Sequence, residues 1–373
     1  MIRQSIYLDA NASEPMRSSV ISAMVDIMQQ TGNPTSVHQM GRKIYNQMED
    51  ARETLVELFG GSVQNCIFTS GGTEADVLAV HGQIGEGNQQ RPFWVGATEH
   101  PAIMQIDLSK KILPVTRQGI VDLNFLEDAL KKTSIPPLVC LMLANNETGV
   151  LHPIQQAAKI CHDYGAILHV DAAQAAGRIM FNLEDIGADS LILSAHKMGG
   201  PKGVGALLLA GHERNAKKIN PLFSGGGQEQ GRRGGTLAVP AIIGLMTAAK
   251  EACKEDRSNI LKLRNYLEKE VKKYGAVICG EEAERLDNTS SIAYAGVSAQ
   301  KLFMALDMAG FCVSTGSACF SGKLSRSPVL SAMGLEELAD CTIRVSLPWN
   351  IQQKDVETFI HVYGQLIQKL KDS

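Results

Sequence analysis

From about residue 65 to residue 209 the sequence alternates between short apolar runs and stretches of helical periodicity, and each run ends in glycine or polar residues. The runs are 66–68, 94–96, 139–143, 167–170, 191–193 and 205–209, and helical segments such as 154–164 lie between most of them. That alternation predicts an α/β layer structure around a largely parallel sheet. Sheets of this kind hold their ligands outside the carboxyl ends of the strands. The polar residues just past each run are therefore where chemistry is to be sought.

The flanking sequence is compatible with many enzymes. Residues 6–8 read as a short strand, followed by a helix through Val20, Ile21, Met24 and Ile27 that ends at Gly32, Asn33 and Pro34. A second helix runs through Tyr45, Met48, Leu55 and Leu58 to Gly60 and Gly61. Around 245–275 the pattern becomes one long helix, read as the crossing into a second lobe. That lobe is expected to hold strands at 276–279, 291–294 and 342–346, helices at 299–308 and 328–333, and a terminal helix from about 353 to 370. A length of 373 residues suits two lobes better than one.

Charge excludes little but invites little. Thirty-six basic against 39 acidic residues give a net charge of -3, and no long tract of either sign asks for nucleic acid. No apolar run reaches membrane-spanning length, and the first residues, MIRQSIYLDANAS, carry no secretory signal, so a cytoplasmic protein is expected. None of the eight cysteines forms a CxxC pair, which argues against a zinc site or a disulfide framework. Seven of them are expected to act as small hydrophobes in or near the core.

The strand ends carry the candidates. After 66–68 come Gly71, Gly72, Thr73 and Glu74, a turn able to aim backbone amides and a hydroxyl at an anion, or only a turn. After 167–170 come Asp171 and, one helical turn on, Gln174; the carboxylate suits a buried cation such as a protonated pyridine nitrogen, and suits a helix N-cap equally. Ser194, Ala195, His196 and Lys197 follow the next run, ahead of several glycines. A lysine there is well placed for a Schiff base once burial and nearby positive charge favour its neutral form, although such a lysine can also be structural. His100 follows 94–96 and could stack on a ring or move a proton, or be an ordinary loop residue before proline; Asn145, Asn146 and Glu147 follow 139–143. Cys319 differs from the other cysteines because glycine and serine surround it, in a loop that can move, or in a plain turn.

Taken in order, YLDANAS, GNPTSVH, FTSGGTEAD, TEHPA, NNETG, HVDAAQAAG, SAHKMGGPKGVGAL, GGGQEQGRRGGT, STGSACFSG and IRVSL resemble the motif series of the cysteine desulfurases of the NifS/IscS type. These are class V aminotransferase-like enzymes among the fold type I pyridoxal-phosphate (PLP) enzymes, and the resemblance spans nearly the whole chain. It implies a large PLP-binding domain at 14–255 with a mostly parallel seven-stranded sheet, and a smaller α/β domain made of 1–13 and 256–373 that carries the cysteine loop.

It also implies roles. Lys197 holds PLP as a Schiff base, Asp171 pairs with the ring nitrogen, His100 stacks on the ring and Gln174 reaches its oxygen. The Gly72–Thr73 turn, Ser194 and His196 hold the phosphate, with Thr236 contributed by the partner of a homodimer. Asn146 and Arg344 fix the carboxylate of L-cysteine, with Asn11 near the substrate end. Lys197 removes the α-proton, and the Cys319 thiolate attacks the substrate sulfur to leave a persulfide and alanine. The sulfur then passes to an acceptor protein, such as an iron-sulfur scaffold or a carrier serving tRNA thiolation.

Some positions depart from the pattern. Gly199 stands two places after the lysine, Gly234 stands where serine is frequent, Phe320 follows the cysteine, LPWN follows IRVS, and the terminal helix is followed by few residues, which puts scaffold docking in doubt. Selenocysteine lyase, another PLP-dependent β-elimination, and a non-catalytic scaffold-binding homologue are the competing readings.

Overall fold

The computed structural model describes residues 5–85, 90–211, 219–315 and 326–371. In chain order the strands are β1 (Ile6–Tyr7), β2 (Cys66–Thr69), β3 (Phe93–Gly96), β4 (Lys110–Leu113), β5 (Leu138–Met142), β6 (Ile167–Asp171), β7 (Ser190–Ser194), β8 (Gly205–Leu209), β9 (Val277–Ile278), β10 (Thr289–Ala293), β11 (Phe311–Cys312), β12 (Ser314–Thr315) and β13 (Thr342–Ser346). The helices are α1 (Ser18–Met28), α2 (Gln39–Phe59), α3 (Gly72–Gln83), α4 (Pro101–Met104), α5 (Leu123–Lys131), α6 (Ile154–Asp163), α7 (Val239–Ala252), α8 (Ser258–Lys272), α9 (Ala299–Met308), α10 (Pro328–Ala332) and α11 (Gln353–Lys371).

Each of the six apolar runs forms a strand of one seven-stranded sheet, in the order β2-β8-β7-β6-β5-β3-β4. The strands from β7 through β6, β5 and β3 to β4 are mutually parallel, and β8 lies antiparallel to both of its neighbours. Reversing β8 leaves β2 pointing the same way as β7. The carboxyl ends of β2, β3, β5, β6 and β7 therefore share one edge. The seventh strand, β4, was not expected from sequence. As the edge strand it keeps Lys111 and Ile112 exposed and so shows no apolar run.

A second sheet, β12-β13-β10-β9, is antiparallel, and β1 pairs in parallel with β11. Its core draws on α8, α9 and α11 through residues such as Leu267, Leu306 and Phe359, apart from the core around the large sheet. The stretch 245–275 is two helices rather than one. α7 ends at Ala252, and α8 begins at Ser258 after a turn in which Asp256 accepts a hydrogen bond from the Ser258 amide (2.9 Å). Competition of this kind by an Asp side chain for backbone donors stops a helix. No helix among the described residues is long and apolar enough to cross a membrane.

Two sequence departures have packing reasons. Gly199 adopts φ +82°, and a Cβ there would lie 3.0 Å from the Arg17 side chain and 3.1 Å from the Pro15 carbonyl oxygen. Arg17 in turn answers LPWN: its guanidinium lies over the Trp349 ring at 4.7 Å, its Nε donates to the Met198 carbonyl (3.1 Å), and it pairs with Glu255 at 2.9 Å. Trp349 Nε1 donates to the Pro15 carbonyl (2.9 Å), so the segment after β13 is fastened beside the Lys197 turn. Gly234 is required for a different reason: a Cβ on it would come within 2.7 Å of the Gly225 amide nitrogen.

Candidate active site

The shared strand edge brings the expected residues together. Past β2, the chain enters α3 through Gly71 (φ +156°), with no side chain capping the first turn. A Cβ at Gly72 would lie 3.4 Å from that of Ser194, and a Cβ at Gly205 would lie 2.7 Å from the Gly71 carbonyl carbon, so glycine is what lets this turn close onto β7 and β8. Thr73 is exposed beside free first-turn amides, and Ser194 is buried at the end of β7. Glu74 seals the turn by accepting from the Ser70 amide (2.7 Å) and from Arg233 (2.9 Å). Burial opposes its ionisation, but Arg233 and Ser70 outweigh that and hold its carboxyl below the usual range.

Asp171 is buried at the end of β6. One of its oxygens accepts from the Ala173 amide (2.8 Å), and the other has no hydrogen-bond partner among the described residues. The capping role and a role toward a cation are thus compatible. Behind it on the same strand, His169 lies between Asp76 on α3 (3.2 Å) and Ser190 on β7 (2.8 Å). Burial, and then the charge of Asp171, raise the carboxyls of Asp76 and Glu99 well above the usual range, and burial lowers His169 to about 3. The layer beneath the site is made of neutral groups.

Lys197 stands one short turn past β7. Its amine donates to the carbonyls of Asn11 (2.5 Å) and Ala12 (3.1 Å). Burial, followed by the positive charges of Arg344 and Arg178, lowers its pKa to about 7. His100 caps α4, with Nδ1 accepting from the Ala102 amide (3.1 Å), which leaves Nε2 to carry the proton of the neutral ring. Although the residue is exposed at the rim, desolvation by the surrounding protein holds its imidazole below the ordinary value, reinforced by Lys197 and partly offset by Asp171. His196 is lowered to about 4, by burial first and then by Lys197, Lys202 and Arg178.

At the opposite end, Arg344 on β13 donates to the Asn146 carbonyl (3.0 Å) and to Asp9 (2.7 Å), while its buried Nε has no partner among the described groups. The side-chain amide of Asn146 is likewise unpaired among the described residues, so a carboxylate would meet free donors here. Asn11 sits beside them but offers none. Its amide nitrogen donates to the Asn146 carbonyl (3.1 Å) and Thr289 (2.9 Å), and its amide oxygen accepts from Arg178 (2.9 Å) and Asn288 (3.2 Å). Asn11 therefore holds the site together instead of presenting a free donor to substrate. Gln174 is buried against it, and Thr236 is exposed away from this cluster of contacts.

Cys319 lies outside the described residues. Just past that segment, Ser327 donates to Glu147 at 2.5 Å, tying the start of α10 to the turn after β5. Burial raises Glu147 to about 7, with Ser327 and Arg344 pulling the other way. The seven described cysteines are free, and burial pushes Cys66 and Cys161 up to about 12 and Cys279 to about 11, which makes them poor thiolates.

These residues suit PLP on structural grounds. The buried Nδ1 of His196 has no partner among the described residues, the uncapped α3 turn offers amides to a phosphate, and a low-pKa lysine faces an acid half-free for a ring nitrogen. Residues 6–359 match the aminotransferase class-V family. The chain is a member of that family, of the NifS/IscS type.

It is 36% identical to the cysteine desulfurase IscS of Dictyoglomus turgidum, over 99% of this chain and 96% of that one. It is 34% identical to the cysteine desulfurase IscS 1 of Archaeoglobus fulgidus, over 98% and 97%. Among solved structures, a NifS-like protein from Rickettsia africae superposes with a TM-score of 0.89 at 32% identity, covering 98% of this chain and all of that one. The family is one of PLP enzymes, and the mixed seven-stranded sheet is that of fold type I.

Sequence reasoning missed Arg178, Glu14, Asp9, Arg17 and Trp349. Arg178 left a trace, as a lone charge closing the small-residue segment AAQAAG four positions after Gln174. Nothing in the sequence reveals that Glu14 is its counter-ion, since the two are brought together only by the fold.

Proposed function

We propose that this protein is a cysteine desulfurase that converts L-cysteine to L-alanine and carries the sulfur on Cys319. The observation that supports this best is the buried Lys197 amine, lowered to about 7, between the Asp171 end and the Arg344 end of one recess. The phosphate of PLP is held by the first turn of α3 with Gly72 and Thr73, and by Ser194 and His196. Asp171 takes the ring nitrogen, Gln174 the ring oxygen, and His100 the ring face. Bound in this way, PLP supplies an electron sink for the substrate α-carbon.

The protein's own groups do the remainder. Arg344 and the Asn146 side chain fix the substrate carboxylate, a two-point hold that also sets the direction of the α-hydrogen. Lys197, neutral above about pH 7, accepts the α-proton. The Cys319 thiolate forms a bond to the substrate sulfur as the Cβ–S bond breaks. That electron pair goes to Cβ, which takes a proton to become the methyl group of alanine, and Cys319 is left as the persulfide.

The division into 14–255 and 1–13 with 256–373 is supported by the separate cores. A homodimer in which Thr236 completes the partner's phosphate site is supported by the exposed Thr236 and by apolar residues exposed nearby in sequence and on α1, including Phe223, Ile21, Val25 and Met28. The free cysteines support a cytoplasmic setting, and transfer to a scaffold or carrier protein follows from the persulfide chemistry. The test is to incubate the PLP-loaded protein with L-cysteine and a thiol reductant. Alanine and sulfide are expected in equal amounts; pyruvate and ammonia in place of alanine would mean β-elimination instead.

A further inference from the structure

Arg178 is wholly buried at the centre of the site's framework. Nη1 donates to the Gln174 side-chain oxygen (2.5 Å) and the Asn11 side-chain oxygen (2.9 Å), and Nη2 to the Ala10 carbonyl and Glu14 (both 3.3 Å). Gln174 Nε2 donates to the Asn11 carbonyl (3.0 Å), the same oxygen that receives the Lys197 amine. Glu14 is itself fixed by the Trp349 amide (3.2 Å). The orientation of the Gln174 amide is thereby forced. A guanidinium can only donate, so it must meet the oxygen; a carbonyl can only accept, so it must meet the nitrogen.

We propose that Arg178 is a positioning residue for the cofactor chemistry: it locks Gln174 with its N–H toward the cofactor ring oxygen and holds the Asn11–Ala12 backbone where the Lys197 amine docks. The inference rests on the PLP reading of the site. An amide free to flip would present its oxygen to the ring oxygen half the time, and two acceptors repel. Arg178 also adds positive charge near Lys197, after burial and Arg344, and so acts on the lysine in the same direction. The titratable and charged groups facing Lys197 are Arg344, Arg178, Asp171 and Asp9. Of these, only Arg178 also grips Gln174.

The test is a pH titration of the visible absorbance of the PLP-loaded protein, with thermal unfolding as the check on folding. Arg178→Met is expected to move the midpoint up by about one pH unit, the size of one lost charge-assisted hydrogen bond. Arg178→Lys, which keeps the charge but not the planar fork, is expected to move it less in the same direction. In both, kcat should fall while the KM for cysteine holds, because Arg344 and Asn146 bind the carboxylate. In a Gln174→Ala background the Arg178→Met shift should shrink. Wild-type midpoints in the variants, or an equal shift with and without Gln174, would overturn the positioning role. Should Arg178→Met not fold, Arg178→Lys decides alone, an unchanged midpoint counting against it. A wild-type protein with no titrating visible band after added PLP would instead sink the cofactor reading.

Discussion

Replacing Lys197 by alanine is expected to eliminate the visible Schiff-base absorbance and to slow alanine formation by at least about 10³-fold, since one side chain supplies both the covalent anchor and the proton acceptor. The fold should survive. The amine's hydrogen bonds run to the carbonyls of Asn11 and Ala12, and Asn11 retains its bond from Gln174. Thermal unfolding close to wild type, with PLP still retained through the α3 turn, Ser194 and His196, would separate lost chemistry from lost structure. Activity within an order of magnitude of wild type would remove Lys197 from the mechanism.

Arg344→Ala is expected to act mainly on KM. A charge-assisted hydrogen bond to a carboxylate contributes about 1.5–3 kcal/mol, so KM for cysteine should rise roughly 10- to 100-fold. A second effect follows from charge. Arg344 is the first-ranked of the positive charges that, after burial, lower Lys197 to about 7. Its loss should move the acidic limb of the pH–rate profile upward, because the lysine then holds its proton to higher pH. Asp9, which Arg344 contacts at 2.7 Å, would be left with an unpaired carboxylate and would work in the same direction. The pair of readouts is KM at a fixed pH and the position of the acidic limb. An unchanged KM would place the carboxylate elsewhere.

Much of this was legible in the sequence because a buried parallel sheet writes itself as apolar runs and puts its ligands at one edge. The runs located β2, β3, β5, β6, β7 and β8 to within a residue or two, and the residues after them face one recess. What escaped was what lacks local pattern. Strand β4 carries two lysines because only one side of it is paired, and β11 and β12, two residues each, are too short to show a period. The turn between α7 and α8 was hidden in a charged run that reads as continuous helix. The framework of the site was less legible still. Asn11, Glu14 and Arg178 come from separate parts of the chain, and their meaning lies in hydrogen bonds across more than 160 positions. Spacing can nominate Gln174, but it cannot show that its amide has a fixed direction. Gly199 and LPWN looked like losses from the motif series, yet each fits the other's neighbour through Arg17.

Sulfur that leaves cysteine directly onto Cys319 must be found there before any reductant is added. One equivalent of L-cysteine should be mixed with the PLP-loaded protein, the reaction quenched with an alkylating agent, and the peptide containing Cys319 weighed by mass spectrometry. The expected result is one additional sulfur atom on that peptide in step with alanine, absent in Cys319→Ala, which should form no alanine above background. Full alanine formation by Cys319→Ala, or free sulfide with no added sulfur on Cys319, would contradict the mechanism.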